Sequence, residues 1–346
     1  MAKRALITGV VGQDGSYLAE FLLDKGYIVR GITRRVSYPH TQRIDQLFQK
    51  YDDLDPDSPF RVTYADMSDN NSLRDVIEEF APDEIYNLAA QSHVGISFTT
   101  AELTLNVNAL GCFRVLDTIK NIGANGIRYY QASSSEMFGA SPPPQNESTP
   151  FLPQSPYGVS KVAAYHLTRM YRVAYGMFAA NGILFNHESP RRGINFVTRK
   201  ITLAICKILA GEIDKIQLGN LDAKRDWGFS GDYVEAMWMI LQHHVPDDFV
   251  IATGEMHSVR DLLDVTFGLL DLDWEPFVVA ADRYKRPAEV PALCGDSRKA
   301  RAVLGWRPKV SFEQLCLMML EHDLHGYGFS LNEARTKARS VLRKVS

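Results

Sequence analysis

The chain is poor in the features that announce a special environment. Its 346 residues include only four cysteines, Cys112, Cys206, Cys294 and Cys316, far apart and never closely paired. That scatter excludes a disulfide framework and the spacing of a zinc site, so reduced thiols in apolar or helical surroundings are expected, with no metal. No uninterrupted apolar run approaches the roughly 20 residues needed to cross a bilayer, so no membrane span is expected. The opening Met1-Ala2-Lys3-Arg4 passes directly into a short apolar stretch without the longer apolar segment of a signal peptide, which implies a cytoplasmic location. Charge of one sign is also missing: a formal net charge of -3 and a pI near 6.3 provide no basic field for nucleic acid. There is no internal repeat and no low-complexity tract.

What is present is ample apolar material, 45% of residues, enough for a sizeable core. Through the first half, short apolar runs alternate with amphipathic stretches, the pattern of a parallel sheet covered by helices on both faces. Six strands are expected, at residues 5–8, 27–30, 61–64, 84–88, 127–131 and 178–184. A helix over Ser72 to Phe80 opens on an Asp/Asn/Ser cluster suited to capping its free N–H groups. After Asn186 the alternation weakens, and helix-like stretches at 231–243, 258–270 and 311–322 follow with little strand pattern. The fold class is therefore α/β, a doubly wound parallel sheet with a smaller, mainly helical C-terminal lobe. Residues 1–186 read as a dinucleotide-binding domain, with chain crossings to the second lobe later, and residues 187–346 as mainly a substrate-binding lobe.

Gly9, Gly12 and Gly15 fall between the first strand and the helix starting near Ser16. In that position glycines let the backbone turn tightly and approach a pyrophosphate, whose charge meets the N–H groups of the helix start. The end of the second strand separates the two nicotinamide cofactors, because an acid there suits the free ribose of NAD and an arginine suits the 2′-phosphate of NADP. The sequence offers Arg34 and Arg35 and no acid. NADP is therefore the expected cofactor, against the plainer reading of a solvated basic loop.

Tyr157 and Lys161 are four apart on a helix expected to start at Pro156, so they share a face. An ammonium near a phenol favours the phenolate and makes it a usable base. The same spacing also fits an ordinary half-buried helix face. The fifth strand runs into Ser133-Ser134-Ser135-Glu136, placing hydroxyls and an acid at the carboxyl edge of the sheet, where doubly wound folds bind ligands. Capping of the next turn is the alternative role for these serines.

With these motifs in hand, the sequence resembles the extended short-chain dehydrogenases/reductases and, within them, the GDP-mannose 4,6-dehydratase family. The likeness runs through Gly9 to Glu20, Tyr86 to Val94, Gln131 to Glu136, Asn181 to Gly193 and Leu218 to Gly228, and extends to about residue 308. It implies a Rossmann-type NADP-binding domain and conversion of a GDP-sugar to a 4-keto-6-deoxy product. By resemblance, Ser134, Glu136, Tyr157 and Lys161 match catalytic positions. Gly9, Gly12, Gln13, Asp14, Gly15, Arg35, Asp66, Met67, Leu88, Ala89, Gln91, Ser92, His187 and Arg192, with Tyr157 and Lys161, match cofactor contacts. Asn186, Val197, Lys200, Arg225, Arg286 and Glu289 match nucleotide-sugar contacts. Arg225 and Arg286 suit a diphosphate and Glu289 a ribose hydroxyl, although each singly also fits a surface salt bridge. Such enzymes pair into homodimers or homotetramers, and the helical stretch Leu105 to Ile119 is apolar on more than one side.

Two positions and one short run depart from the family's pattern. Ser134 replaces a threonine and keeps the hydroxyl, while Leu103 replaces a tyrosine near the cofactor. Gly228-Phe229-Ser230-Gly231-Asp232 replaces a Gly-His-Ala-Lys-Asp run, which leaves a related GDP-manno-heptose open as substrate. A reductase or epimerase on the same scaffold would use Ser134, Tyr157 and Lys161 without needing an acid at 136.

Overall fold

The computed structural model describes residues 2–38, 40–124, 126–281 and 287–345. Arg286, expected to contact substrate, lies outside the described residues. Seven strands form one parallel sheet: β1 Arg4–Thr8, β2 Ile28–Thr33, β3 Phe60–Tyr64, β4 Glu84–Asn87, β5 Arg128–Ser134, β6 Ala179–Leu184 and a seventh strand, Asp248–Ile251. Their order across the sheet is Asp248–Ile251, β6, β5, β4, β1, β2, β3. The order reverses beside β1, so the ends of β1 and β4 open a crevice at the carboxyl edge.

Local sequence sets the helix starts. The Asp69 carboxylate accepts from the N–H groups of Asn71 and Ser72 and opens the helix Asn70–Phe80. Ser155 accepts from the N–H of Gly158, Pro156 occupies the first turn where it needs no N–H partner, and the helix runs to Tyr175. In the C-terminal lobe, Ser258 with Asp261 and Ser311 with Gln314 make reciprocal caps for the helices Val259–Gly268 and Phe312–Gly326.

The helices cover both faces of the sheet. On one face, Leu18 and Leu22 of the helix Gln13–Asp24 pack with Val234, Met237 and Ile240 of the helix Ser230–Gln242. On the other, Leu73 and Ile77 meet Cys112, Leu116, Ala164 and Tyr171. A separate core joins Ile201, Ile205, Leu262, Phe267, Leu315 and Met319 in the smaller lobe.

The structure adds elements that the sequence pattern did not show. Asp248–Ile251 pairs in parallel with β6, and the helix Ser230–Gln242 packs on the first core, so the chain returns to the sheet after leaving it. The smaller lobe also holds short paired strands, among them Lys224–Arg225 against His257–Ser258 and Ile216–Leu218 against Val278–Ala280. The helix expected across Leu105 to Ile119 is instead broken by a wider turn at Asn106–Leu110. The side chain of Asn108 in that turn accepts from the N–H of Gln91 at 2.8 Å and donates to the Gln91 carbonyl at 3.1 Å. Cys112, Cys206 and Cys316 are buried free thiols as expected, whereas Cys294 is only half-buried.

Candidate active site

The glycine loop is shaped by close approach. Gly9 sits at φ 72°, and a Cβ there would stand 2.9 Å from the Ala89 Cα. A Cβ on Gly15 would stand 2.4 Å from the Gly9 carbonyl oxygen. Neither position accepts a side chain without moving backbone. Gly12 differs: its Cβ would meet only the Gly9 oxygen, at 3.1 Å, so its other side is open. Gly12 also precedes the helix Gln13–Asp24 without offering a capping side chain, which leaves first-turn N–H groups for an anion. These features fit a dinucleotide pyrophosphate.

Beyond the loop lies a cleft of about 660 Å³ between the sheet edge and the smaller lobe. It brings together fourteen of the sequence-predicted residues: Asp14, Leu88, Ser92, Ser134, Glu136, Tyr157, Lys161, Asn186, His187, Arg192, Val197, Lys200, Arg225 and Glu289. Gly9, Gly12, Gln13, Gly15, Ala89 and Gln91 are not among the residues that line it. Nor are Arg35, which follows the end of β2, and Asp66 and Met67, which follow the end of β3. The Arg35 guanidinium lies over the Tyr64 ring, 4.9 Å from its centre. Asp66 accepts from the N–H and hydroxyl of Ser68 at 2.8 and 2.7 Å, and these bonds hold its carboxyl below the usual range.

Tyr157 and Lys161 do share a helix face, and both are buried. Burial pushes the Tyr157 phenol up to about 12, against a hydrogen bond from Ser134 that favours the phenolate. The Lys161 ammonium donates to the Ala132 carbonyl at 2.7 Å and stands 5.7 Å from the centre of the Tyr157 ring. Burial lowers Lys161 to about 8. The ammonium therefore stands off the phenol rather than bonding it directly. Ser134 closes β5 and accepts from the N–H of Glu136 at 3.2 Å, which orients the short turn that presents the acid.

Asp14 and His187 meet across the cleft. His187 Nε2 lies 2.9 Å from Asp14 Oδ2, and Asp14 Oδ1 accepts from Ser230 and Gln13 at 2.8 and 3.0 Å. Burial alone would raise the Asp14 carboxyl, but His187 and these hydrogen bonds outweigh it and hold the carboxyl far below its ordinary range. Burial likewise works against a charged His187, and Asp14 more than compensates. Gln13 is spent internally, donating to the His187 carbonyl at 3.1 Å and accepting from Ser189 at 2.8 Å. In the smaller lobe, Arg225 is anchored by the Val290 carbonyl at 2.9 Å, and Lys200 donates to the Gln217 carbonyl at 2.6 Å.

Among the cleft residues that were not assigned from sequence are His93, Glu188 and Phe196. Glu188 is buried, and its carboxylate lies 3.0 Å from Arg192 Nε. The Arg192 guanidinium lies over the Phe196 ring at 3.7 Å, and that ring meets His93 at 5.5 Å. The four-residue spacing of Glu188 and Arg192 was the one signal available.

The comparisons agree with this geometry. The family model described as GDP-mannose 4,6 dehydratase matches residues 6–319. GDP-mannose 4,6 dehydratase 2 of Arabidopsis thaliana is 55% identical over 93% of this chain and 87% of that protein. The Homo sapiens GDP-mannose 4,6 dehydratase is 49% identical over 92% of this chain and 91% of its own length. Among solved structures, dTDP-glucose 4,6-dehydratase of Bacillus anthracis in complex with NAD superposes with a TM-score of 0.80 at 20% identity, covering 96% of this chain and 100% of that one. At that identity the likeness speaks for the fold alone. Since the family model spans most of the sheet and both walls of the cleft, the chain belongs to the GDP-mannose 4,6-dehydratase family.

Proposed function

We propose that this chain converts GDP-mannose to GDP-4-keto-6-deoxymannose, with NADP as resident cofactor. The observation that carries the reading is Glu136 in one cleft with Ser134, Tyr157 and Lys161. A reductase or epimerase needs the hydroxyl-handling set but no carboxylate beside it.

The glycine loop, Arg35, His187 and Arg192 would hold the cofactor. When bound, the nicotinamide supplies reversible hydride exchange with C4 and C6 of the sugar. The chain's own residues move the protons. Tyr157 takes the proton of the 4-hydroxyl, with Ser134 fixing that hydroxyl and Lys161 favouring the phenolate. The 4-ketone acidifies the neighbouring C5 position, and Glu136 takes the C5 proton. The C6 hydroxyl takes up a proton within the cleft and leaves as water, and C5 regains a proton, exchangeable with solvent, as C6 is reduced. In the other lobe, Arg225 pairs with the diphosphate, Lys200 adds a positive charge, and Glu289 accepts from a ribose hydroxyl.

We also assign the enzyme to the cytoplasm as a homodimer or homotetramer. Among the described residues no helix is long and apolar enough to cross a membrane. Incubation with GDP-mannose and mass analysis of the product tests the central reading, which requires loss of one water. An unchanged mass, or gain of two hydrogens, refutes it.

A further inference from the structure

The Asp14–His187 contact has a definite charge state. His187 Nδ1 lies 2.7 Å from the Phe185 carbonyl oxygen, which can only accept, so Nδ1 carries a hydrogen. Nε2 faces the Asp14 carboxylate at 2.9 Å, so it carries one too. A ring protonated on both nitrogens is an imidazolium. Its face stacks on the buried Tyr233 ring at 4.6 Å, a placement that suits a cation. Arg192 is the nearby charge that opposes it, and Asp14 is the counter-charge.

This pair joins two parts of the chain that flank the cleft. Asp14 sits in the first turn of the helix Gln13–Asp24, directly after the glycine loop. His187 sits in the short strand Asn186–Glu188, five residues before Arg192. Further ties run parallel to it: Gln13 to the His187 carbonyl, Ser189 to Gln13, Arg191 to the Ser16 hydroxyl at 3.1 Å, and Arg191 to Glu20 at 2.8 Å. Ser230 adds a third element by donating to Asp14. Asp14 and His187 are the members of this set that line the cleft.

We propose that the Asp14–His187 ion pair is a latch that fastens the segment carrying Arg192 to the phosphate loop and thereby sets how fast the bound nicotinamide dinucleotide leaves. This rests on the reading of the cleft as a cofactor site. Both residues are positioning residues in this role. The latch also resolves an electrostatic problem, because an unpaired Asp14 carboxylate beside the loop would repel a pyrophosphate. A reaction that returns its hydride to the same sugar gains from a cofactor that stays bound.

The test is NADPH release. Wild-type protein and Asp14→Asn are loaded with NADPH and chased with excess NADP, and release is followed by fluorescence. In the variant, the amide oxygen still accepts from Ser230 and the amide nitrogen donates to a neutral Nε2, so shape is kept and charge is lost. We expect release roughly 10- to 100-fold faster. Nitrogen-15 spectra of His187 should show both ring nitrogens protonated in the wild type and one in the variant. Ser230→Ala weakens the hold on Asp14 while leaving the ion pair, and a smaller acceleration is expected; it decides the matter should Asp14→Asn fail to fold. Unchanged release in the folded variants, or a neutral His187 in the wild type, overturns the latch. A wild type that binds no NADPH overturns the cofactor reading itself and takes the latch with it.

Discussion

Glu136→Gln separates the steps of the proposed reaction. The substitution keeps the size and polarity of a side chain that is 7% exposed, and removes its negative charge and its capacity to take a proton. The turn is set by the Glu136 backbone N–H on Ser134, Tyr157 is placed by its own N–H on the Ser97 hydroxyl at 3.2 Å, and Lys161 is held by the Ala132 carbonyl. Oxidation at C4 should therefore proceed in the variant. Elimination should slow by the worth of a positioned base, roughly 10²–10⁴-fold, or about 3–5 kcal/mol of barrier. Single-turnover mixing with GDP-mannose would then show persistent reduced-nicotinamide absorbance, and solvent deuterium would fail to enter the sugar at C5. Tyr157→Phe supplies the contrast: it removes the first base, so neither absorbance nor exchange appears. Release of dehydrated product by Glu136→Gln at a near-normal rate would make the acid a bystander and refute the assignment.

Three other outcomes are expected. Arg35→Ala should weaken NADP by about 1.5–3 kcal/mol and NAD far less, as measured by titration calorimetry; equal loss means that Arg35 does not read the 2′-phosphate. The Asp14–His187 pair should make stability depend on pH in a defined direction. Asp14 is depressed in the fold, so its contribution is full above about pH 4 and fades in stronger acid, while His187 is raised, so its contribution is full below about pH 6.5 and fades as pH rises. The Tm difference between wild type and Asp14→Asn should thus peak between those values, and a difference that keeps growing into alkaline solution contradicts the assigned charges. Finally, Leu103, Leu110 and Phe113 are exposed beside the helix that carries Tyr157, on which Val173 is 82% exposed. Light scattering at micromolar concentration should find a dimer or larger, and a clean monomer removes the idea.

What could be read from the sequence was what is encoded locally. The strand–glycine–helix run at Gly9 to Gly15 needs only neighbouring residues to define its turn, and it appears in the structure where the sequence places it. The cap at Asp69 acts within three residues and its cluster was similarly plain, and those at Ser155 and Ser311 are as local. The strand Asp248–Ile251 was not, because four residues after an acidic turn carry no alternation, and its only qualification is a non-local pairing with Asn181–Leu184. Side-chain destinations were hidden for the same reason. Gln13 and Asp14 look like members of a phosphate loop, yet their bonds go to His187, Ser189 and Ser230, more than 170 positions away. Spacing put Lys161 on the face of Tyr157, but could not tell that its ammonium would be committed to the Ala132 carbonyl.

That distinction bears on the run Gly228 to Asp232, the departure from the family's pattern that touches sugar preference. None of these five residues lines the cleft among the described residues, whereas Trp227 just before them does. Their contacts lie elsewhere, and Phe229 packs against the core of the smaller lobe as well as on the first. Phe229 packs edge-on against Tyr17 of the helix after the glycine loop at 5.7 Å, Ser230 donates to Asp14, and Asp232 accepts from the N–H groups of Lys309 and Val310. Gly228 and Gly231 are forced by proximity, since a Cβ would stand 2.5 Å from the Tyr233 ring and 2.2 Å from the Phe229 ring respectively. Where the family's run carries alanine at the position of Ser230, this chain adds a hydroxyl bond to the very carboxylate that holds His187. None of the five reaches the cleft, so the run bears on sugar preference only indirectly, through the Ser230 bond to Asp14 and the Phe229 contact with Tyr17.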